Sequence, residues 1–114
     1  MNEEPLGAAF NALADPTRRQ LVGMIAERGS VTASEMAREF PITRQAVAKH
    51  LAVLQEAGLA EPARSGRETR YALRPQGLAG AAAWISDVGA EWDARLGRLE
   101  RHAAAGERGR GSGV

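Results

Sequence analysis

Cysteine is absent from the 114 residues, which rules out a disulfide, a thiolate nucleophile and a thiolate metal site. Histidine is nearly as scarce. With His50 and His102 as the two imidazoles, a metal centre would have to be built mostly from carboxylates, and none is expected. Long apolar runs are missing too: nothing approaches the roughly 18 residues that span a bilayer, and the opening MNEEPLGAAF lacks the basic start and apolar core of a signal peptide. The expectation is a cytoplasmic chain with no membrane partner. Thirteen glycines form no phosphate-binding loop, and no serine, histidine and carboxylate stand in a motif that supports nucleophilic chemistry. Neither an enzyme nor a bound cofactor is expected. Charge of one sign is lacking as well, the formal net charge being +1, so the total announces no polyanion partner.

What is present is helical periodicity with clear boundaries. Ile42 to Leu59 (ITRQAVAKHLAVLQEAGL) organises the rest: Thr43 suits an N-cap, Val47, Leu51 and Leu54 recur on one face, and Gly58 suits the position just past a helix end. The opposite face carries Arg44, Gln45, Lys49 and His50, and most of these are side chains that reach base edges or phosphates in a major groove. Upstream, Pro5–Ala14 reads as a first helix with Leu6, Phe10 and Leu13 on one side. Asp15-Pro16 then caps a second helix that ends at Gly29, and its Arg18 and Arg19 suit phosphate contact or plain solvation. Thr32 and Glu35 form a capping box for a third helix from Ala33 to about Phe40, with Val31 and Met36 as its hydrophobic staple. Two residues, Pro41 and Ile42, separate it from the Thr43 cap, which makes a helix-turn-helix.

Beyond Gly58 the period changes to two. Leu59–Ser65 and Glu68–Leu73 flank Gly66-Arg67, a two-stranded hairpin with Pro62 on its outer edge or at its start, and Arg64, Arg67 and Arg70 make it a basic wing. Residues 41–74 hold six arginines and lysines against three glutamates, so basic charge gathers where a nucleic acid would lie. From about residue 77 to Ala105 a last helix repeats Leu78, Ile85, Trp92 and Leu99 every seven residues, with Ala81, Val88 and Leu96 between them and Trp84 nearby. Such a seam asks for a partner helix, and the same element of a second chain is the natural one. Glu91 and Arg95 stand four apart as a surface ion pair. Gly106–Val114 is expected to be a disordered tail, which leaves 1–105 as one DNA-binding and dimerisation domain.

Ala12-Leu13-Ala14-Asp15-Pro16-Thr17-Arg18-Arg19, Thr43–Leu51, Leu54-Gln55-Glu56-Ala57-Gly58-Leu59, and Gly66-Arg67 through Tyr71-Ala72-Leu73 together resemble the ArsR-type winged helix-turn-helix transcriptional regulators, over about residues 8 to 100. The resemblance implies a mainly α fold of about five helices with a small β-hairpin wing. It also implies a homodimer joined through the first and last helices, bound to a pseudo-palindromic operator in double-stranded DNA and repressing its own or a neighbouring operon. Carried over by position, Thr43, Arg44, Gln45 and Ala46 approach bases, Lys49 and His50 approach the backbone, and Arg64, Arg67 and Arg70 belong to the wing. Leu6, Phe10, Leu78, Ile85, Val88, Trp92, Leu96 and Leu99 are the expected dimer interface. Ala48 departs from the serine often found there. Thr32 and Ser34 stand where metal-sensing members have cysteines, so the chain resembles the branch without that motif, and the candidates for a signal are an unidentified small apolar molecule near Trp84 and Trp92, a partner protein, or no ligand at all. The competing reading is a winged-helix module that binds a protein and no DNA.

Overall fold

The computed structural model describes residues 3–109, with side chains over 5–103. The chain divides into two units, Met1–Ala81 and Ala82–Val114. In the first unit, α1 (Glu3–Leu13), α2 (Pro16–Arg28), α3 (Ala33–Glu39) and α4 (Arg44–Glu56) surround one core, and β1 (Val31–Thr32), β2 (Ala60–Ser65) and β3 (Glu68–Leu73) form an antiparallel sheet in the order β1-β3-β2. The last helix, α5 (Pro75–Gly109), begins in this unit and runs on into the second.

Local chemistry sets most of the helix ends. The Asp15 carboxylate accepts from the Arg18 N–H at 3.0 Å and Pro16 opens α2, where its missing N–H leaves no bond unmade. Thr32 and Glu35 close the capping box reciprocally, Glu35 N–H to Thr32 Oγ1 at 3.1 Å and Thr32 N–H to Glu35 Oε1 at 2.9 Å. At the far end of α4, Leu59 N–H reaches the Leu54 carbonyl and Gly58 N–H the Gln55 carbonyl, the paired bonds of a Schellman turn. Gly58 makes that turn with φ +78°, a backbone state that costs a side-chain-bearing residue about 1 kcal/mol or more.

The core is made of Leu21, Ile25, Val31, Met36, Val47, Leu51, Leu54 and Leu59, all fully buried, each contributing roughly 2 kcal/mol of apolar burial. On α1 the buried residues are Ala9 and Ala12, while Leu6 and Phe10, expected to lead the apolar face, are half-buried. Small side chains let α1 lie close to its neighbours. The first turn of α5 makes a second close approach. A methyl group on Gly77 would overlap the Gly58 carbonyl, so only a bare α-carbon fits against the end of α4.

The sheet has one strand more than the hairpin expected from sequence. Val31 and Thr32 pair with Tyr71 and Arg70, a contact across 40 residues that no local pattern announces. Pro62 lies on β2, the outer strand, where its missing N–H interrupts no ladder. In the second unit no described side chain is buried. Helix α5 continues through Gly109, so the first four residues of the expected tail are helical, as the high helix propensity of Ala103-Ala104-Ala105 favours. Arg110–Val114 lie outside the described residues.

Candidate nucleic-acid interface

The Thr43 hydroxyl accepts from the Ala46 N–H at 3.0 Å, which starts α4 and fixes which residues face outward. With Val47, Leu51 and Leu54 turned into the core, Thr43, Arg44, Gln45 and Lys49 are exposed and Ala46 is half-buried. His50 is half-buried toward α2, close enough to add to the forces that hold the Asp15 carboxyl below the usual carboxylate range. The largest of those forces is the hydrogen bond from the Arg18 N–H. The exposed face thus presents an amide and two cations, all within about the first two turns.

The wing stands beside it. Gly66-Arg67 forms the tip of the β2–β3 hairpin, and Arg64 and Arg67 are exposed. Arg67 and Arg44 line the same cleft of about 310 Å³, together with Ser34 from the start of α3 and Thr69 from β3. Helix face and wing tip therefore border one surface. From sequence neither Ser34 nor Thr69 is expected at this surface: Ser34 figures only as standing where metal-sensing members have a cysteine, and Thr69 only as a residue of the second wing strand.

Three arginines are used differently from expectation. Arg18 donates from Nε to the Ala12 carbonyl at 2.6 Å and from Nη2 to the Asn11 carbonyl at 3.2 Å, while Arg19 donates to the carbonyls of Leu13 and Ala14. They satisfy the open carbonyls at the end of α1, the work that a glycine turn does elsewhere. Arg70, expected at the wing surface, turns back into the fold. Its Nε donates to Ser30 Oγ at 2.9 Å, and its Nη2 to the Ser30 carbonyl at 3.0 Å and Glu35 Oε1 at 3.3 Å. Glu35 is held below the ordinary carboxylate range chiefly by the Thr32 N–H, which outweighs the opposing desolvation, with a smaller contribution from the Arg70 charge. Arg28 and Glu39 close a bidentate pair at 2.6 Å across the ends of α2 and α3, and that pair holds the Glu39 carboxyl low.

On α5, Trp84, Ile85, Trp92, Leu96 and Leu99 are each between 49% and 58% exposed, and Val88 is half-buried. Leu78 packs partly against the core of the first unit. Arg95, expected to pair with Glu91, lies over the Trp92 ring at 5.2 Å from its centroid. Among the described residues no three His, Asp or Glu side chains gather as metal ligands, and no helix is long and apolar enough to cross a membrane.

Comparison with known proteins agrees with this geometry. Residues 13–63 match a helix-turn-helix domain family. The chain is 44% identical over 71 residues to the HTH-type transcriptional regulator Rv2034 of Mycobacterium tuberculosis, covering 62% of this chain and 65% of that one. It is 30% identical over 76 residues to the transcriptional repressor SdpR of Bacillus subtilis, covering 67% of this chain and 83% of that one. The solved structure of an ArsR-like transcriptional regulator from Rhodococcus sp. RHA1 superposes with a TM-score of 0.71 at 39% identity, over 87% of this chain and 92% of that one. The chain therefore belongs to the ArsR family of winged helix-turn-helix transcriptional regulators.

Proposed function

We propose that the chain is a homodimer that binds a two-fold symmetric operator in double-stranded DNA and represses its own or a neighbouring operon. Support comes from one juxtaposition: the outer face of α4 and the tip of the wing border a common cleft, which Arg44 lines from the helix and Arg67 from the wing. In this proposal α4 lies in the major groove with Thr43, Arg44, Gln45 and Ala46 toward the bases, Gln45 reading an adenine by its amide, and Lys49 and the half-buried His50 toward the backbone. Arg64 and Arg67 meet phosphates or the adjoining minor groove. The α5 seam of Ile85, Val88, Trp92, Leu96 and Leu99 pairs with a second copy, and Leu6, Phe10 and Leu78 supply further apolar surface, so that residues 1–105 serve both binding and dimerisation. The activity proposed is binding without catalysis or cofactor, in the cytoplasm, under control of a small molecule or a protein rather than a metal; the lack of cysteine supports the last point.

Selection from random duplexes, followed by fluorescence anisotropy across salt concentrations, tests this. A two-fold symmetric consensus with half-sites about 10 bp apart and a steep salt slope is expected. Gln45→Ala is expected to lose about 1–3 kcal/mol of discrimination at one base pair, and Arg67→Ala to weaken all sequences alike. No enriched sequence, together with equally weak binding of every duplex, would overturn the proposal in favour of a protein-binding module.

A further inference from the structure

The base of the wing is held by buried Ala60 and by Tyr71 and Leu73 against the core, but its outer part is attached to the rest of the fold by very little. β1 reaches only Tyr71 and Arg70 on β3. Past Arg70 the hairpin goes on as a two-stranded ribbon through Thr69 and Glu68 to the Gly66-Arg67 tip and back along Ser65 and Arg64. Every residue from Glu61 to Glu68 is exposed, so no packing fixes the ribbon's direction, and two strands alone are marginally stable in water. Arg70 stands where the ribbon leaves the sheet. Its guanidinium takes both acceptors of Ser30 and the same Glu35 oxygen that caps α3, and it adds a longer contact of 3.5 Å to Glu68 on its own strand. Arg64 and Arg67 hold no ion pair among the described residues.

Taking DNA as the ligand of this face, as proposed above, we infer that Arg70 is a positioning residue: it ties the root of the wing to the capping box of α3 and so aims Arg64 and Arg67, without itself touching DNA. The planar fork is essential to that task. It spans acceptors on the segment before β1 and on α3 at fixed angles, which a lysine ammonium, a single point of charge on a flexible stem, does not reproduce. Because Glu35 lies on α3, the first helix of the helix-turn-helix, and Ser30 lies just before β1, the wing and α4 are referred to one frame. A clamp in that place restricts the ribbon before any phosphate is met, which lowers the ordering that binding would otherwise require.

The test measures affinity for the selected operator for Arg70→Lys, Arg70→Met and Ser30→Ala, each in the wild-type background and in Arg64→Ala/Arg67→Ala, with thermal melting of every variant. Lys and Met at position 70 are expected to weaken binding alike, by about tenfold, and Ser30→Ala, which changes no charge, by about threefold. In the background without the tip arginines these losses should shrink below about twofold, because nothing remains to be aimed. Retention of affinity by Arg70→Lys, with losses that multiply in the double background, would overturn the inference and make Arg70 a direct phosphate contact. Equal losses in both backgrounds that track a lowered melting temperature would reduce Arg70 to a fold-holding residue. Ser30→Ala keeps the test open should the Arg70 variants fail to fold. If the wild-type chain bound no duplex, the DNA proposal would fall first and this inference with it.

Discussion

Helices α4 and α5 carry apolar residues at helical spacing, yet their fates differ. Val47, Leu51 and Leu54 of α4 are fully buried, whereas Ile85, Trp92 and Leu99 of α5 are 56%, 52% and 58% exposed. The first stripe is closed by its own chain and makes a core. The second is longer and more aromatic, and no described side chain of its unit is buried. Periodicity alone reports that a face wants cover; whether the cover is intramolecular or a second copy depends on what the tertiary fold has left over.

Substitutions sharpen that contrast. Leu51→Ala is expected to lower unfolding stability by about 2–5 kcal/mol in urea titration, because a core cavity cannot close around the missing side chain. Trp92→Ala should instead weaken self-association by about 2 kcal/mol, read as a shift in the dissociation constant by sedimentation, while unfolding of the first unit at monomer concentrations stays unchanged. A Trp92 variant that melted like the Leu51 variant would erase the distinction. Thr43→Ala removes the cap that sets the phase of α4 and is expected to cost about 1 kcal/mol of stability, with no effect on dimerisation.

The smallest effect is on acid stability. Asp15, Glu35 and Glu39 are held below their ordinary values by the Arg18 N–H, the Thr32 N–H and the Arg28 guanidinium respectively. A carboxylate whose folded pKa is depressed adds stability above its unfolded value, and that stability is lost as pH falls through the folded one. The urea midpoint of the first unit should therefore decline as the pH drops below about 4 and be flat from there to neutrality. The apolar seam of α5 should show no such dependence. A midpoint unchanged down to pH 2 would show that these bonds contribute nothing measurable.

The features legible in the sequence were the local ones. Caps at Asp15, Thr32 and Thr43 act over three residues, so their chemistry can be read in a window, and the polar face of α4 followed from the cap and the period together. What escaped acts at a distance. The β1 strand is two residues long and exists through partners some 40 positions away, and the inward turn of Arg70 depends on that same pairing. Arg18 and Arg19 look like surface cations until the end of α1 is placed beside them. Charge in a sequence shows where cations are, and only the register shows which of them are already occupied.

The bare α-carbon of Gly77 against the Gly58 carbonyl is a joint with no clearance. The first turn of α5 starts against the backbone of Gly58, in the turn that follows the helix carrying Arg44 and Gln45. A single methyl group at Gly77 would act as a shim in that joint. It would have to push the start of α5 off the Gly58 turn while the exposed side chains of α4 kept their chemistry, so under the DNA-binding proposal Gly77→Ala is a way to disturb the fold beside α4 without touching any residue proposed to meet DNA.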